Sequence, residues 1–479
     1  MKNSSLPINN QSGKSDSVVS RRKFLQKTMA ASAFSIVPAH VLAQTAGVAP
    51  NDKTTLACIG VGGRGRQNLR TFLRFDEIQV AAVCDVNRES DGYISWDWER
   101  GKKTKISGRE PARRMVDEFY TEQKEQAQYK SCRAYANYRE LLEKEDVDAV
   151  MVATPDHSHA VVTMAALKKR KHVYCEKPLT WSVQEARMIA QEAKRAGVAT
   201  QLGNQGQATE EDRLTREIIA DGAIGNVHEV HVSISARFWH WPAYLSRPSE
   251  TPPVPDGLDW DLWLGPAPMR PYHPEYHPWV WRNWMDFANG QLGDLGCHTL
   301  STVFKALNLT HPISVEASST KMFPDLYPLG VMAHYEFAAR GDMPPVTLHW
   351  YDGGLKPTRP KDLEPGRGMS GIIYVGDKGT MMGRQLIPNT KMKAYKQAPK
   401  TLPRSPGHFD EWVNACRGGT APGSNFVDHG GILTETCLLG NVALRAGRKI
   451  DWDGPNMKIT NDKNANKFLH RKYRDGWSL

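Results

Sequence analysis

The feature that most constrains the fold is a glycine-rich turn between a strand pattern and a helix pattern. Residues 54–60 have the composition of a buried strand and run into Gly60-Val61-Gly62-Gly63-Arg64-Gly65, after which a helical pattern extends to Leu73. A second strand pattern, 78–84, ends at Asp85, 25 residues after the first glycine. This order of strand, G-x-G-x-x-G turn, helix, strand and acid predicts a Rossmann unit that binds a dinucleotide.

The glycines of the turn have separate physical roles in such a site. Gly60 permits the tight turn, Gly62 lets the backbone approach a pyrophosphate, and Gly65 lets the helix pack closely on the strand. The N-terminus of the helix directs its positive dipole end at the phosphates. Asp85 can accept hydrogen bonds from ribose hydroxyls and would repel a 2′-phosphate, so NAD is favoured over NADP. The residues of the turn predicted to bind the cofactor are Gly60, Gly62, Gly63, Arg64 and Gly65.

Later strand patterns end in polar residues. A buried strand predicted over 146–154 ends in Thr154-Pro155-Asp156-His157. Ligands of open α/β sheets bind beyond the carboxyl ends of the strands, so Thr154, Pro155 and His157 are predicted to line the cofactor. Two more strand patterns, 171–175 and 198–202, end in Glu176-Lys177-Pro178 and in Gly203-Asn204. The charged, helix-prone stretch 88–135 is interpreted as a connection on the surface.

These motifs together resemble the Gfo/Idh/MocA oxidoreductases, which are NAD(P)-dependent enzymes of sugars and cyclitols. The resemblance is carried by the glycine-rich turn, Thr154-Pro155, Glu176-Lys177-Pro178 and Asn204. It implies that Glu176 and Asn204 contact the cofactor. It also implies that Lys177 is a catalytic residue, which hydrogen-bonds the reacting hydroxyl and helps to position the proton donor or acceptor.

A second motif, Gly290-Gln291-Leu292-Gly293-Asp294-Leu295-Gly296-Cys297-His298, carries an aspartate and a histidine four residues apart. On a helix they lie on one face. His298 can act as general base for a hydroxyl proton, and Asp294 can orient it or bind a neighbouring hydroxyl. A helix-capping aspartate and a core histidine are the alternative. The motif resembles the Asp/His pair of the same family, which implies that Lys177, Asp294 and His298 act together on the substrate.

Tryptophans are concentrated between the two motifs. Two interpretations stay open, a wall that packs on sugar rings and an aromatic core under a Pro-rich loop. Trp281 and Arg282 are predicted substrate contacts, because Arg282 resembles an arginine of exported family members; a surface ion pair is the alternative. His273 and His277 have no third ligand at a suggestive spacing, so no metal site is predicted. Seven of the 14 tryptophans lie within 46 residues: Trp239, Trp241, Trp260, Trp263, Trp279, Trp281 and Trp284.

Short strand patterns separated by Gly/Pro turns follow residue 313, and two helix patterns follow at 408–416 and 430–446. The predicted fold class is α/β, with an N-terminal Rossmann domain and a C-terminal α+β domain that has a large, open, mostly antiparallel sheet. The predicted boundaries are a signal peptide at 1–43, the NAD-binding domain at 44–205, the substrate-binding domain at 206–460 and a C-terminal tail at 461–479.

The N-terminus has the pattern of a twin-arginine export signal. Ser20-Arg21-Arg22-Lys23-Phe24-Leu25 precedes a short apolar stretch, and Val41-Leu42-Ala43 suits cleavage after Ala43. A disordered basic tail is the alternative. The signal predicts a periplasmic protein that meets the Tat translocase and folds, cofactor included, before export. No cysteine precedes Cys58, so no lipid anchor is predicted, and no apolar run reaches the ~18 residues of a membrane span.

Net charge is +10, but residues 1–43 carry +5 of it. The rest of the chain has no basic stripe on a recognisable nucleic-acid module, so nucleic-acid binding is not predicted.

The predicted reaction is oxidation of a ring hydroxyl of a sugar or glycoside. Because the periplasm has no obvious pool of free nicotinamide cofactor, the NAD is predicted to be tightly held and regenerated in the site. One alternative is a redox-neutral, NAD-dependent glycosidase that oxidises transiently, eliminates or hydrolyses, and returns the hydride. A catalytically silent sugar-binding protein is an alternative of another class. The family resemblance also implies a homo-oligomer.

Overall fold

The structure is a computed structural model that describes residues 52–94, 104–124, 131–234, 245–396 and 398–479. The predicted signal peptide and three residues of the aromatic-rich stretch, Trp239, His240 and Trp241, lie outside the described residues. Within the described ranges, no helix combines the length and the apolar character needed to cross a bilayer.

The first part of the chain alternates strands and helices. The strands are β1 (Thr54–Ile59), β2 (Ile78–Cys84), β3 (Ser90–Ile94), β4 (Thr104–Ser107), β5 (Arg133–Tyr135), β6 (Ala149–Val152), β7 (His172–Glu176) and β8 (Thr200–Gly203). The helices are α1 (Gly63–Phe72), α2 (Arg109–Lys124), α3 (Tyr138–Lys144), α4 (Asp156–Lys168) and α5 (Val183–Ala196).

Six of these strands form a parallel sheet in the order β5-β2-β1-β6-β7-β8. This is the strand order of a Rossmann fold, in which the chain reverses direction at β1 and leaves a crevice beyond the carboxyl ends of the strands. Every residue of β6 and β8 is buried, as expected for parallel strands covered by helices on both faces. The predicted Rossmann domain is confirmed.

The interpretation of 88–135 as a surface connection is wrong in two respects. Strands β3 and β4 pair as an antiparallel hairpin there. Helix α2 packs on the parallel sheet, with Val116 and Tyr120 buried and the Tyr120 hydroxyl accepting a hydrogen bond from the backbone N–H of Val80. The apolar positions of this helix recur at helical spacing, which is typical of a buried helix face. They are few among many charged residues, so the stretch resembles an exposed connection in the sequence.

The second part of the chain adds nine strands and six helices among the described residues. The strands are β9 (Val227–Ser233), β10 (Ser314–Ser319), β11 (Val331–Phe337), β12 (Val346–Tyr351), β13 (Ile372–Gly376), β14 (Thr380–Met382), β15 (Gln385–Ile387), β16 (Ile450–Asp453) and β17 (Lys458–Ile459). The helices are α6 (Glu210–Ala220), α7 (Trp260–Leu264), α8 (Gly290–Ala306), α9 (Asn389–Ala394), α10 (His408–Cys416) and α11 (Gly431–Ala446).

These strands form one sheet in the order β15-β14-β13-β9-β12-β11-β10-β16-β17. The β9–β12 pair is parallel and the other neighbours are antiparallel, so the predicted mostly antiparallel sheet is confirmed. Burial alternates along β11: Val331, Ala333, Tyr335 and Phe337 are buried and the residues between them are half-buried. The buried side packs against α8 and α11; we call the opposite side the outer face.

Two later segments return to the first sheet. Helix α10 places Trp412 against Phe72 of α1, with ring centroids 5.3 Å apart. The C-terminal tail runs back to helix α3 of the first part, where the Arg139 guanidinium lies 4.0 Å from the ring centroid of Trp477. The two sheets are thereby tied together at positions far apart in the chain.

Candidate active site

A cavity lies beyond the carboxyl ends of the parallel strands, where the sheet topology predicts a ligand. Its volume, including the solvent space at its open entrance, is about 1140 Å³. Residues of both parts of the chain line it. Of the residues predicted from the sequence, the cavity is lined by Gly60, Gly62, Gly63, Arg64, Asp85, Thr154, Pro155, Glu176, Lys177, Trp281, Arg282 and Asp294.

The glycine-rich turn has the geometry that a bound pyrophosphate requires. Gly60 has φ +80°, and a Cβ there would lie 2.7 Å from the backbone of Ala153 and Thr154. Helix α1 begins at Gly63 without a side-chain cap and without an acidic residue in its first turn. Its first N–H groups and positive dipole end therefore face the cavity without a competing carboxylate.

Asp85 is held at the end of β2 by the backbone. Its two carboxylate oxygens accept hydrogen bonds from the N–H groups of Val61 and Asn87, both at 2.9 Å. Burial raises its pKa to about 6, against the lowering effect of those two N–H donors. Asp85 lies 24 residues after Val61 in the chain, and its carboxylate is fixed beside the glycine-rich turn. An acid in this position can accept hydrogen bonds from the ribose hydroxyls of a dinucleotide, so the residues present suit NAD.

Glu176 is a buried hydrogen-bond acceptor in the wall of the cavity. Its Oε1 atom accepts from Arg64 Nε at 3.1 Å, Asn68 Nδ2 at 2.9 Å and Gln205 Nε2 at 3.2 Å. Burial alone would raise its pKa, but the positive charge of Arg64 and the Asn68 hydrogen bond outweigh burial and lower it to about 2. Glu176 is thus a permanent anion that orients Arg64 beside the glycine-rich turn.

Lys177 and Asp294 meet in the cavity from opposite parts of the chain. The Lys177 ammonium pairs with the Asp294 carboxylate, and both side chains are mostly buried. Arg282 lies 4.0 Å from the same carboxylate and is held between Trp279 and Trp281, its guanidinium 4.3 Å from each ring centroid. Two cations therefore converge on one acid where a substrate hydroxyl could bind.

His298 lies on the same helix as Asp294, one turn further along α8, as the sequence predicts. It is half-buried and is not among the residues that line the cavity. Burial, followed by the nearby charge of Lys177, lowers its pKa to about 4, so the imidazole is neutral at pH 7. Its ring nitrogens have no hydrogen-bond partner within the described part of the chain, which leaves them free to accept a proton.

Three predicted cofactor residues lie behind the cavity instead of lining it. His157 is buried with its ring nitrogens 2.8 and 3.3 Å from the carbonyl oxygens of Trp263 and Phe287, so it joins the two parts of the chain. Asn204 is buried and donates to the Cys297 carbonyl at 3.1 Å, which anchors α8 beside His298. Gly65 is buried at the α1–β1 contact. For His157 and Asn204, the prediction of direct lining is corrected to a positioning role.

Each of the two interpretations of the tryptophan-rich stretch holds for some of its residues. Trp260 and Trp284 are buried in an aromatic cluster with Tyr276 and Phe287. Trp279 and Trp281 line the cavity beside Arg282. His277 also lines it, but as a neutral imidazole whose pKa burial lowers to about 3, while the Nδ1 atom of His273 accepts the backbone N–H of Glu275.

Two aromatic residues of the site were missed by sequence reasoning. Tyr93 of the β3–β4 hairpin lies against Gly62 and donates to Asp85 at 3.4 Å. Trp477 lines the cavity from the C-terminal tail, with the Arg139 guanidinium 4.0 Å from its ring. No motif identifies them, because each reaches the site through a long-range contact.

Asp156 is a fourth acid that lines the cavity, and the sequence motifs did not single it out. It follows Thr154-Pro155 directly, is 5% exposed and accepts a hydrogen bond from Asn289 at 3.3 Å. Burial raises its pKa to about 7, helped by the negative charge of Asp294 and opposed by Lys177. Its carboxyl group therefore titrates near neutral pH.

The raised pKa of Asp156 gives a testable pH dependence. Between about pH 4 and pH 7 the unfolded chain has lost this proton and the native protein keeps it, so this group lowers stability as pH rises, by at most about 1.4 kcal/mol per pH unit. We expect the free energy of unfolding of Asp156→Asn to increase relative to that of the wild type as pH rises through this interval. Above about pH 7 the difference between the two proteins should stay constant. Urea unfolding at pH 5, 6, 7 and 8 measures this; a constant difference between the two proteins would contradict it.

Two family models match consecutive parts of the chain. One, described as "Oxidoreductase family, NAD-binding Rossmann fold", matches residues 105–204. The other, described as "Oxidoreductase family, C-terminal alpha/beta domain", matches residues 209–338. The first match begins after the glycine-rich turn, so the geometry of that turn supports the NAD-binding assignment independently.

Curated relatives match over part of their length. The 1,5-anhydro-D-fructose reductase of Ensifer adhaerens is 35% identical over 108 residues, which are 22% of this chain and 31% of the relative. A glycosyl hydrolase family 109 protein of Shewanella pealeana is 26% identical over 147 residues, 30% of this chain and 27% of the relative. The chain thus spans about a third of the length of these relatives.

The fold is shared with solved structures over most of the chain. The WlbA dehydrogenase of Bordetella pertussis, solved in complex with NADH and UDP-GlcNAcA, has a TM-score of 0.53 at 16% identity and covers 84% of this chain and 99% of its own. The two consecutive family matches and this shared two-part architecture agree with the motifs at Thr154-Pro155, Glu176-Lys177-Pro178 and Asp294. Residues 105–204 and 209–338 thus carry the two domains of the Gfo/Idh/MocA oxidoreductase family, the NAD-binding Rossmann fold and the C-terminal alpha/beta domain.

Proposed function

We propose that the protein is an NAD-dependent oxidoreductase that acts on a ring hydroxyl of a sugar or glycoside. One observation carries this proposal. A single cavity joins the glycine-rich turn and Asp85, which suit a dinucleotide, to the group formed by Lys177, Asp294 and Arg282, which suits a polyhydroxylated substrate. The two binding chemistries meet where hydride transfer requires the cofactor and the substrate to touch.

Two residues that line the cavity, Lys177 and Asp294, and the adjacent His298 have separate roles at the substrate hydroxyl. When bound, the nicotinamide supplies the acceptor for the hydride. The Lys177 ammonium holds the hydroxyl oxygen and stabilises the alkoxide that forms as the proton leaves, and this alkoxide becomes the carbonyl when its carbon gives up the hydride. Asp294 orients Lys177 through their ion pair. His298, neutral at pH 7 and without a hydrogen-bond partner among the described residues, receives the hydroxyl proton.

The substrate end of the cavity favours a carbohydrate. Indole rings pack on the apolar C–H faces of pyranoses, and Trp279 and Trp281 line the cavity on either side of Arg282. The guanidinium and the Lys177–Asp294 pair supply donors and acceptors for hydroxyl groups. The names of the similar proteins, a 1,5-anhydro-D-fructose reductase and a dehydrogenase solved with a sugar nucleotide, support the same class of substrate.

We further propose that the protein works in the periplasm with a retained cofactor, after export by the Tat translocase. The twin-arginine pattern at residues 20–25 supports the location. Retention is supported by the C-terminal tail, which places Trp477 in the cavity wall and is fixed by the Arg474–Asp261 ion pair. A tail that must detach before the cofactor leaves slows its release.

A redox-neutral glycosidase is the second candidate, and the similarity to a glycosyl hydrolase family 109 protein favours it. In that reaction the hydride taken from the ring carbon is returned after the glycosidic bond breaks, so no net oxidation occurs. This suits a retained cofactor, because NADH never has to exchange. A silent sugar-binding protein is disfavoured by the presence of Lys177, Asp294 and His298 together.

A single experiment separates these functions. The purified protein is heated to release its cofactor, which we expect to be NAD by its absorbance on reduction. Intact protein is then incubated with a panel of free sugars and aryl glycosides, and the products are analysed by mass. Keto-sugars, lighter by two hydrogens, indicate the oxidoreductase and free aglycone indicates the glycosidase. Bound NAD with neither product would favour the binding protein, and a chain with no NAD affinity would contradict the proposal.

A further inference from the structure

The outer face of the nine-stranded sheet carries a cluster of histidines outside the cavity. Glu229 and His231 lie two residues apart on β9, and His349 lies beside His231 on the paired strand β12. His334 of β11 faces His349 across the next pair. None of these residues lines the cavity described above. The side chains of His231 and His349 are each 17% exposed, so solvent reaches them only in part.

The ligand atoms of three of these residues converge on one point. His231 Nε2 lies 3.2 Å from Glu229 Oε1, and His349 Nε2 lies 3.0 Å from the same oxygen. All three atoms lie within 4.8 Å of one another. Ligands 2.0–2.1 Å from a tetrahedral Zn²⁺ are about 3.3 Å apart, so the side chains already approximate the edges of a metal coordination polyhedron.

The other ring nitrogen of each histidine also has a partner. His231 Nδ1 lies 3.4 Å from the Tyr351 hydroxyl, and His349 Nδ1 contacts His334 Nδ1. The second N–H of a metal-binding histidine is normally held by a hydrogen-bond acceptor, which fixes the tautomer and the ring orientation, and the Tyr351 hydroxyl and the His334 ring nitrogen can act as such acceptors. The rings of His231 and His349 are stacked, with centroids 4.8 Å apart, so neither can turn without displacing the other.

We propose that Glu229, His231 and His349 bind a divalent transition-metal ion of the zinc class. Two imidazoles and one carboxylate are the donor set of open zinc and iron sites, and three protein ligands leave a position for water or another ligand. The three ligands stand on two neighbouring, hydrogen-bonded strands, β9 and β12, so they are fixed before the metal arrives. The sequence gives no spacing signal for it, because His349 is 118 residues from His231 and only the β9–β12 pairing joins them.

Cobalt titration of the NAD-loaded protein tests this site. After treatment with a chelator, we expect one Co²⁺ per chain, a visible absorption band from tetrahedral or five-coordinate cobalt, and displacement by Zn²⁺. His231→Ala, His349→Ala and Glu229→Gln should each weaken binding by about a hundredfold or more. Tyr351→Phe should weaken it by about tenfold, the usual effect of losing an outer partner.

His228→Ala is the matched control, since it removes an exposed histidine from the same strand and should leave Co²⁺ affinity unchanged. Bound NAD and the thermal midpoint report whether each variant is folded. Glu229→Gln keeps the shape of its side chain, so it tests the site even if a histidine variant fails to fold. Absence of Co²⁺ uptake by the folded wild type, or equal affinity in the wild type and all three ligand variants, would overturn the proposal.

Discussion

Replacement of Lys177 by methionine should lower the turnover of a sugar substrate by about a hundredfold to a thousandfold, the range for losing a donor that stabilises a developing oxyanion. Methionine fills similar space but has no charge. The Lys177 ammonium is the partner of Asp294, and its positive charge also acts on Asp156 and His298. Its loss leaves Asp294 with the Arg282 guanidinium 4.0 Å away, and leaves nothing at this position to stabilise a substrate alkoxide.

A pH profile distinguishes this role from a merely structural one. Lys177 lowers the pKa of both Asp156 and His298, so removing it should raise both values and move the acidic limb of the residual activity to higher pH. NAD should stay bound, because the glycine-rich turn and Asp85 are untouched.

Lys171→Met is the matched control for Lys177→Met. It removes a lysine at the other end of β7, where its partner is the exposed Asp146 at 3.7 Å, and should leave turnover unchanged. If Lys177→Met kept a tenth or more of wild-type turnover with an unshifted profile, Lys177 would have no part in the chemistry.

The sequence predicts the site well where a local pattern carries the chemistry. The turn at Gly60–Gly65, Asp85 and Glu176-Lys177-Pro178 each follow a buried strand, and the parallel topology brings strand ends to one edge of the sheet. Helical spacing likewise placed Asp294 and His298 on α8. These positions follow from periodicity and from the rule that ligands lie beyond the strands, without knowledge of distant contacts.

What the sequence could not give depends on long-range packing. Tyr93 and Trp477 reach the cavity from a short polar hairpin and from the C-terminal tail, and neither has a local signal. His157, in contrast, was predicted to line the cofactor and does not line the cavity. It follows a strand as a ligand should, but two backbone carbonyls from the second part of the chain bind its ring. Burial decides the ionisation of Asp156 in the same way, and a sequence does not display burial.

Replacement of Gly65 by alanine should weaken NAD binding at the dinucleotide site. A Cβ at this position would lie 1.7 Å from the carbonyl oxygen of Gly60, far inside contact distance, and 3.2 Å from the Ala153 side chain. The two nearest atoms belong to the backbone of Gly60, which cannot rotate away, so helix α1 must move away from β1 to make room. Overpacking of this kind costs about 1–3 kcal/mol. The first N–H groups of α1 and the turn that fits the pyrophosphate move with it.

We expect the Gly65→Ala protein to bind NAD between about fivefold and 150-fold more weakly, which is that energy expressed as an affinity ratio. Its cofactor content on purification should fall accordingly. Gly206→Ala is the control, because a Cβ there meets nothing within 4 Å and the backbone is not left-handed. Calorimetric titration of cofactor-free protein with NAD measures both variants. Since the clash acts through the position of α1, the two should differ in NAD affinity and in thermal midpoint together; unchanged affinity in a destabilised Gly65→Ala protein would show that the turn does not hold the pyrophosphate.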